Sequence, residues 1–237
     1  MKSARKIIAL ASLALTGPLM IGPILIGHAF ATPSTALLRA YHEKLKAMDL
    51  PPGFEDIIQD PKNIGQITLA PLFDRPFVCG EHPQGQLMTA GDALGTDCMV
   101  VGGASDAGGY NRLYKGTGEK NEDWYAWQAP VHAPFDAVVT YVHVNPVTNQ
   151  PGTMGKPPAS VILFRRHDGV MVAYAHVQDI RVKAGDRVKA GDVVAVDGNN
   201  GVARNPHVHV GAYKGTQPLQ IRWDLAAMGA VEALRAN

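Results

Sequence analysis

In the second half of the chain, apolar residues recur at every second position in short runs separated by turn residues. The runs are PVHAPFDAVVTYVHV (130–144), SVILFRR (160–166), VMVAYAHV (170–177), DVVAVDG (192–198) and HVHVGAY (207–213). That period places successive side chains on opposite faces of a strand. No helical pattern separates the runs, so they predict an antiparallel, mainly β domain. Asp168-Gly169, between two of them, predicts a tight hairpin. The Pro- and Gly-rich stretch NPVTNQPGTMGKPP (145–158) predicts a long loop at the rim of a groove.

Helical spacing is confined to the flanks. Leu37, Leu38, Tyr41, Leu45 and Met48 line one side of a helix that Pro51-Pro52 stops, a peripheral N-terminal arm. RWDLAAMGAVEALR (222–235) predicts a terminal helix. Between arm and strands, residues 53–110 hold short apolar pieces such as QITLAPLF (66–73) and QLMTAGDALG (86–95), cut by Gly and Pro, which predicts irregular β structure. The hexapeptide RVKAGD occurs twice in tandem, at 181–186 and 187–192, and each Ala-Gly-Asp is expected to turn the chain between short strands.

The 237 residues suit one mid-sized domain with extensions, and a formal charge of +1 leaves no basic footprint for nucleic acid or an anionic membrane. Lys2, Arg5 and Lys6 precede an apolar run from Ile7 to about Ile26 and the tripeptide Ala29-Phe30-Ala31. This predicts a signal peptide cleaved near residue 31 and a periplasmic or secreted protein with no stable membrane anchor after cleavage, an uncleaved anchor being the alternative. In an oxidising compartment Cys79 and Cys98 are expected to pair.

The segment NPHVHVGAY raises a question of chemistry, because His207 and His209 project from the same face of one strand in an otherwise apolar run. Upstream lie YAH (174–176) and VKAGDRVKAGDVVAVDGNNG (182–201). In that order and spacing, these segments resemble the lysostaphin-type, or LytM-like, zinc metallopeptidases, with their Y-x-H strand, hairpin ending in G-N-x-G, and H-x-H strand. APVHAPFDAVV resembles the strand that follows the family's first ligand pair.

The resemblance implies an antiparallel β domain of duplicated-hybrid type over 106–217. Residues 1–31 are then the signal, 32–105 the helix and disulfide-pinned extension, and 218–237 the C-terminal helix. It implies zinc as cofactor, His209 as a ligand, His207 as general base, and His176 polarising the attacked water or stabilising the oxyanion. Tyr174 of Y-x-H and Arg112, in GYNR, become substrate-binding residues. The implied substrate is a peptide of bacterial peptidoglycan.

The chain departs from the family at its H-x-x-x-D motif. Before APVHAP it reads GTGEKNEDWYAWQ, with Asp123 where the aspartate belongs and Glu119 where the histidine belongs. Glu119 as a carboxylate ligand, Glu122 through a one-residue shift, and His132 from the next strand are the alternatives, since zinc accepts both nitrogen and carboxylate oxygen. A degenerate site is the remaining one, leaving a metal-free module that binds and regulates a separate cell-wall hydrolase. His143 and His167 read as structural or solvated, and His42 and His82 receive no role. The glycine-punctuated hairpin also resembles lipoyl-type carriers, a reading that leaves the histidines unexplained.

Overall fold

The computed structural model describes residues 64–87, 89–105 and 108–235. The expected signal peptide and the helix over 35–50 lie outside the described residues.

Among the described residues the chain forms a mainly β fold with one short α-helix, α1 (Leu225–Arg235), after its last strand. Strands β1 (Gly65–Leu69), β2 (Phe77–Glu81) and β3 (Thr96–Val100) come first. They are followed by β4 (Pro130–His132), β5 (Ala137–His143), β6 (Val161–Arg165) and β7 (Val170–Ala175). The last four are β8 (Arg187–Val188), β9 (Val193–Val196), β10 (Val208–Lys214) and β11 (Gln217–Trp223). Nine of them make one sheet with the path β1-β11-β10-β7-β6-β5-β8, onto which β3 and β2 add beside β10, while β4 and β9 pair separately.

Each alternating run of the second half becomes a strand because one parity is apolar and buried. Val208, Val210 and Ala212 of β10 enter the core with Val172 and Tyr174 of β7 and Ile162 and Phe164 of β6. The β6–β7 hairpin closes at Asp168-Gly169, where Gly169 takes the positive φ of 85° that favours glycine. The tandem RVKAGD repeat makes two like turns, with Asp186 accepting from Lys183 N at 3.0 Å and Asp192 from Lys189 N at 2.8 Å.

Two sequence expectations are revised. The expected boundary at residue 105/106 falls within one sheet, because β3 pairs with β10 and β1 with β11, so residues 65–100 are integral to the main sheet. The region expected as irregular β structure pinned by a disulfide supplies three of its strands. Residues 217–223 are strand, not helix: β11 turns back from β10, and Pro218, Leu219 and Ile221 bury against the sheet before α1 starts at Leu225.

β10 has two successive neighbours on one edge. Its first half pairs with β3, opposing His209 to Asp97, and its end pairs with β11. On the other edge β7 opposes Ala175 to His209. Cys79 faces Cys98 across β2 and β3, and the expected disulfide joins them.

Candidate metal centre and active site

The register of β3 against β10 sets the centre of the site. Directly opposed residues place their side chains on the same face, a few ångströms apart, and His209 Nδ1 accordingly lies 2.9 Å from Asp97 Oδ1. β2 runs beside β3 and delivers His82 just past its end, held where His82 N donates to Gly95 O at 2.8 Å. His82 Nε2 comes to 3.3 Å from the same Asp97 oxygen. Among the described residues, His82, Asp97 and His209 form the group whose donor atoms all lie within 4.8 Å of one another, close enough to share one cation.

Two further imidazoles stand beside this group. His207 shares the face of His209 and brings Nε2 to 3.6 Å from Asp97 Oδ1. Its Nδ1 lies 2.9 Å from Asn205 O, and because a carbonyl only accepts, the ring proton sits on Nδ1 and the Nε2 lone pair faces the site. His176 follows β7 with a positive φ of 67°, which turns its ring back over the site, 4.6 Å from His207 and 6.3 Å from His209 between centroids. Its Nδ1 donates to Asn200 O at 2.7 Å, again leaving Nε2 as the free acceptor.

Burial and charge act on these groups in opposite senses. Burial pushes His176 down to about 3, helped by the charges of His207 and His209, so it is neutral near neutral pH. Burial also lowers His207. Burial alone would lower His209 as well, but contacts with Asp92 and Asp97 outweigh it and raise the group to about 10. Asp97 is the mirror case: burial would raise it, yet bonds from His209 and His82 and the nearby His207 hold it well below the usual carboxylate range. A metal-free site thus holds a proton between His209 and its carboxylates, the position a cation competes for.

Of the residues singled out in the sequence, the structure brings together His209, His207 and His176. Asp123 is placed elsewhere, in a 3-10 turn over Asn121–Asp123, where its Oδ2 accepts from Lys120 N at 3.3 Å. Glu119 and Glu122 are exposed on the same segment. None of the three carboxylates joins the cation-sharing group, and the 114–124 segment is tied to itself by the Tyr114–Trp124 bridge and the Trp124 Nε1 bond to Gly118 O. His132 is likewise engaged, its Nδ1 donating to Gly191 O at 2.7 Å. Tyr174 is fully buried with its ring against Phe164, out of reach of a substrate. Arg112 is exposed on the short bridge to Gly102.

His82 and Asp97 are the members that the sequence reading left out. Counting back four from Asp97, as H-x-x-x-D requires, lands on Ala93, and fourteen residues separate the imidazole from the aspartate where the motif has three. A signal was available in the expected disulfide, since His82 lies three residues after Cys79 and Asp97 immediately before Cys98.

Residues 122–221 match the model of peptidase family M23. Over that span, less than half of its length, the chain is similar to peptidase family M23. The M23 match begins after His82 and Asp97, so two of the three candidate ligands come from sequence outside it. An uncharacterized metalloprotease of Haemophilus influenzae is 29% identical over 109 residues, 45% of this chain and 21% of that protein. The chain thus matches only about a fifth of the length of that curated relative. Among solved structures, the catalytic domain of the M23 protein EnpA from Enterococcus faecalis is 23% identical, over 63% of this chain and 92% of that one, with a TM-score of 0.41. The catalytic domain of lysostaphin from Staphylococcus simulans is 18% identical over 61% and 87%, with a TM-score of 0.36. A zinc-containing peptidase from Vibrio cholerae is 19% identical over 62% and 38%, with a TM-score of 0.37.

The donor set of His82, Asp97 and His209 is chemically suited to zinc: two imidazole nitrogens and one carboxylate oxygen, a number that leaves a fourth position open in a tetrahedral site. His82 fits it further, since its Nδ1 lies 3.2 Å from Gln86 Oε1 and a ring proton held there leaves Nε2 bare towards Asp97. Among the described residues, no helix is long and apolar enough to cross a membrane.

Proposed function

We propose that the protein is a periplasmic or secreted zinc metalloendopeptidase that hydrolyses peptide bonds in bacterial peptidoglycan. The observation that carries this reading is the convergence of His82, Asp97 and His209 within 4.8 Å, with the bare Nε2 of His207 3.6 Å from the shared aspartate oxygen. His82, Asp97 and His209 would hold the zinc, which when bound would supply Lewis acidity towards water and a carbonyl. His207 takes the proton of the attacking water on Nε2 and returns it to the departing amine. His176, neutral and with its Nδ1 proton given to Asn200 O, orients that water as an acceptor; oxyanion stabilisation would require an Nε2 proton it lacks. The rival reading, a metal-free module regulating a separate hydrolase, drew its support from a missing histidine, and His82 supplies an imidazole in its place.

Zinc content and wall digestion test the proposal together. Purified protein is expected to hold about one zinc per chain, by the open-site logic of three protein ligands, and to release peptides from isolated peptidoglycan detectable by mass spectrometry. Asp97→Ala and His209→Ala should lose both. His207→Ala should keep the metal and lose about 100- to 10,000-fold in rate. Wild-type protein that takes up no metal in zinc-replete buffer would sink the proposal.

A further inference from the structure

We propose that Asp92 is a positioning residue for the metal centre, its carboxylate receiving the Nε2 proton of His209 and so holding that ring with Nδ1 turned to Asp97 and His82. This rests on the zinc-site reading above and adds to it a residue outside the ligand group.

The two nitrogens of His209 face two different carboxylates. Nδ1 is 2.9 Å from Asp97 Oδ1, and Nε2 is 3.4 Å from Asp92 Oδ1. A carboxylate only accepts, so the pose with Nε2 towards Asp92 places a ring proton there and frees the Nδ1 lone pair once a cation sits at Asp97. At 3.4 Å the Asp92 contact is an ion pair whose direction falls short of a well-formed hydrogen bond, and Nε2 is otherwise buried without a partner. A buried N–H needs an acceptor. Asp92 supplies it after a small rotation of the ring, the kind of tightening that follows when a metal draws on Nδ1.

Asp92 is itself held. Thr89 Oγ1 donates to Asp92 Oδ2 at 2.7 Å, leaving Oδ1 for His209. Backbone bonds from Asp92 N and Ala93 N to Thr89 O, and from Gly95 N to Asp92 O, wind residues 89–95 into a compact turn. That turn is seated on the face of the sheet that carries His209: Ala90 and Ala93 are buried with Tyr213 and Met171, a cross-strand pair of β10 and β7. At Gly211, two residues after His209, the carbonyl of Gly91 occupies the space any Cβ would take. Residues 89–95, between the candidate ligands His82 and Asp97, are therefore packed as a brace over β10 and present one fixed carboxylate oxygen to the back of His209.

The experiment is a chelator competition for zinc on the full chain, with imidazole 15N spectra of the zinc-loaded protein. Asp92→Ala is expected to weaken zinc binding by about 10- to 100-fold, the usual cost of removing the acceptor behind a metal-bound histidine. Asp92→Asn keeps an acceptor oxygen and should recover some of the loss, which a merely structural role would not produce. The loaded wild type should show His209 protonated at Nε2. If Asp92→Ala fails to fold, Thr89→Val carries the test, since it frees only Asp92 Oδ2 and should give a smaller loss in the same direction. Wild-type zinc affinity in a folded Asp92→Ala protein overturns the inference while leaving the zinc site intact. A wild type that binds no zinc removes the site itself, and the inference with it.

Discussion

Asn200 spends its whole side-chain amide on backbone groups around His176. Oδ1 accepts from Ser160 N at 2.7 Å, and Nδ2 donates to His176 O at 2.9 Å and Val177 O at 3.0 Å. Its own carbonyl fixes the His176 ring. Asn200→Ala would strand three buried backbone groups, so it should cost about 3 kcal/mol or more, read as a drop in denaturant midpoint at unchanged slope; a variant as stable as wild type would contradict this. His176, His207 and His209 were legible in the sequence because strand periodicity and motif order both point to them. His82 and Asp97 were signalled only by their places beside the two cysteines, because their partnership is made by a cross-strand register that no local motif spacing encodes. The family's H-x-x-x-D spacing even points away from them, to Asp123, whose carboxylate is spent on a turn.

At the scale of elements, β2 and β3 act as one unit that delivers two of the three candidate ligands, and the Cys79–Cys98 bond ties them together at the directly opposed pair. The loop it closes, 19 residues in sequence separation, contains His82, Asp92 and Asp97. Replacing both cysteines by alanine is expected to cost about 3 kcal/mol for a loop of this size. Because β2 would then be held to β3 by its backbone ladder alone, the variant should also bind zinc more weakly, and chelator competition with and without reductant on the wild type should reproduce the loss. Equal stability and affinity in the reduced protein would show that the ladder suffices. The strands of the second half were readable from alternation, since a half-buried strand writes its two faces into the sequence. β11 was missed because GTQPLQIRW mixes a proline and isolated polar residues into a short run, and its strand character comes from pairing with both β10 and β1.

Across the whole molecule, the site is assembled from chain segments far apart, and the order of assembly makes a sharp distinction between two ligand sets. If Asp123, Glu119 or Glu122 joined His209, every ligand would lie within residues 106–237. If His82 and Asp97 do, that fragment holds one ligand of three. It also lacks β1, β2 and β3, leaving the first half of β10 and the outer side of β11 as unpaired edges. A fragment of residues 64–237 keeps every described strand and should retain about one zinc per chain after gel filtration, as a three-ligand site requires, whereas residues 106–237 should retain none and should aggregate through the exposed edges. Solubility tags address the aggregation and leave the metal count decisive. Stoichiometric zinc in the tagged 106–237 fragment, lost on His209→Ala, would restore the carboxylate set around Asp123. Its absence there, with zinc present in the longer fragment, would locate the missing ligands in residues 64–105, a stretch that the family resemblance left outside the peptidase domain.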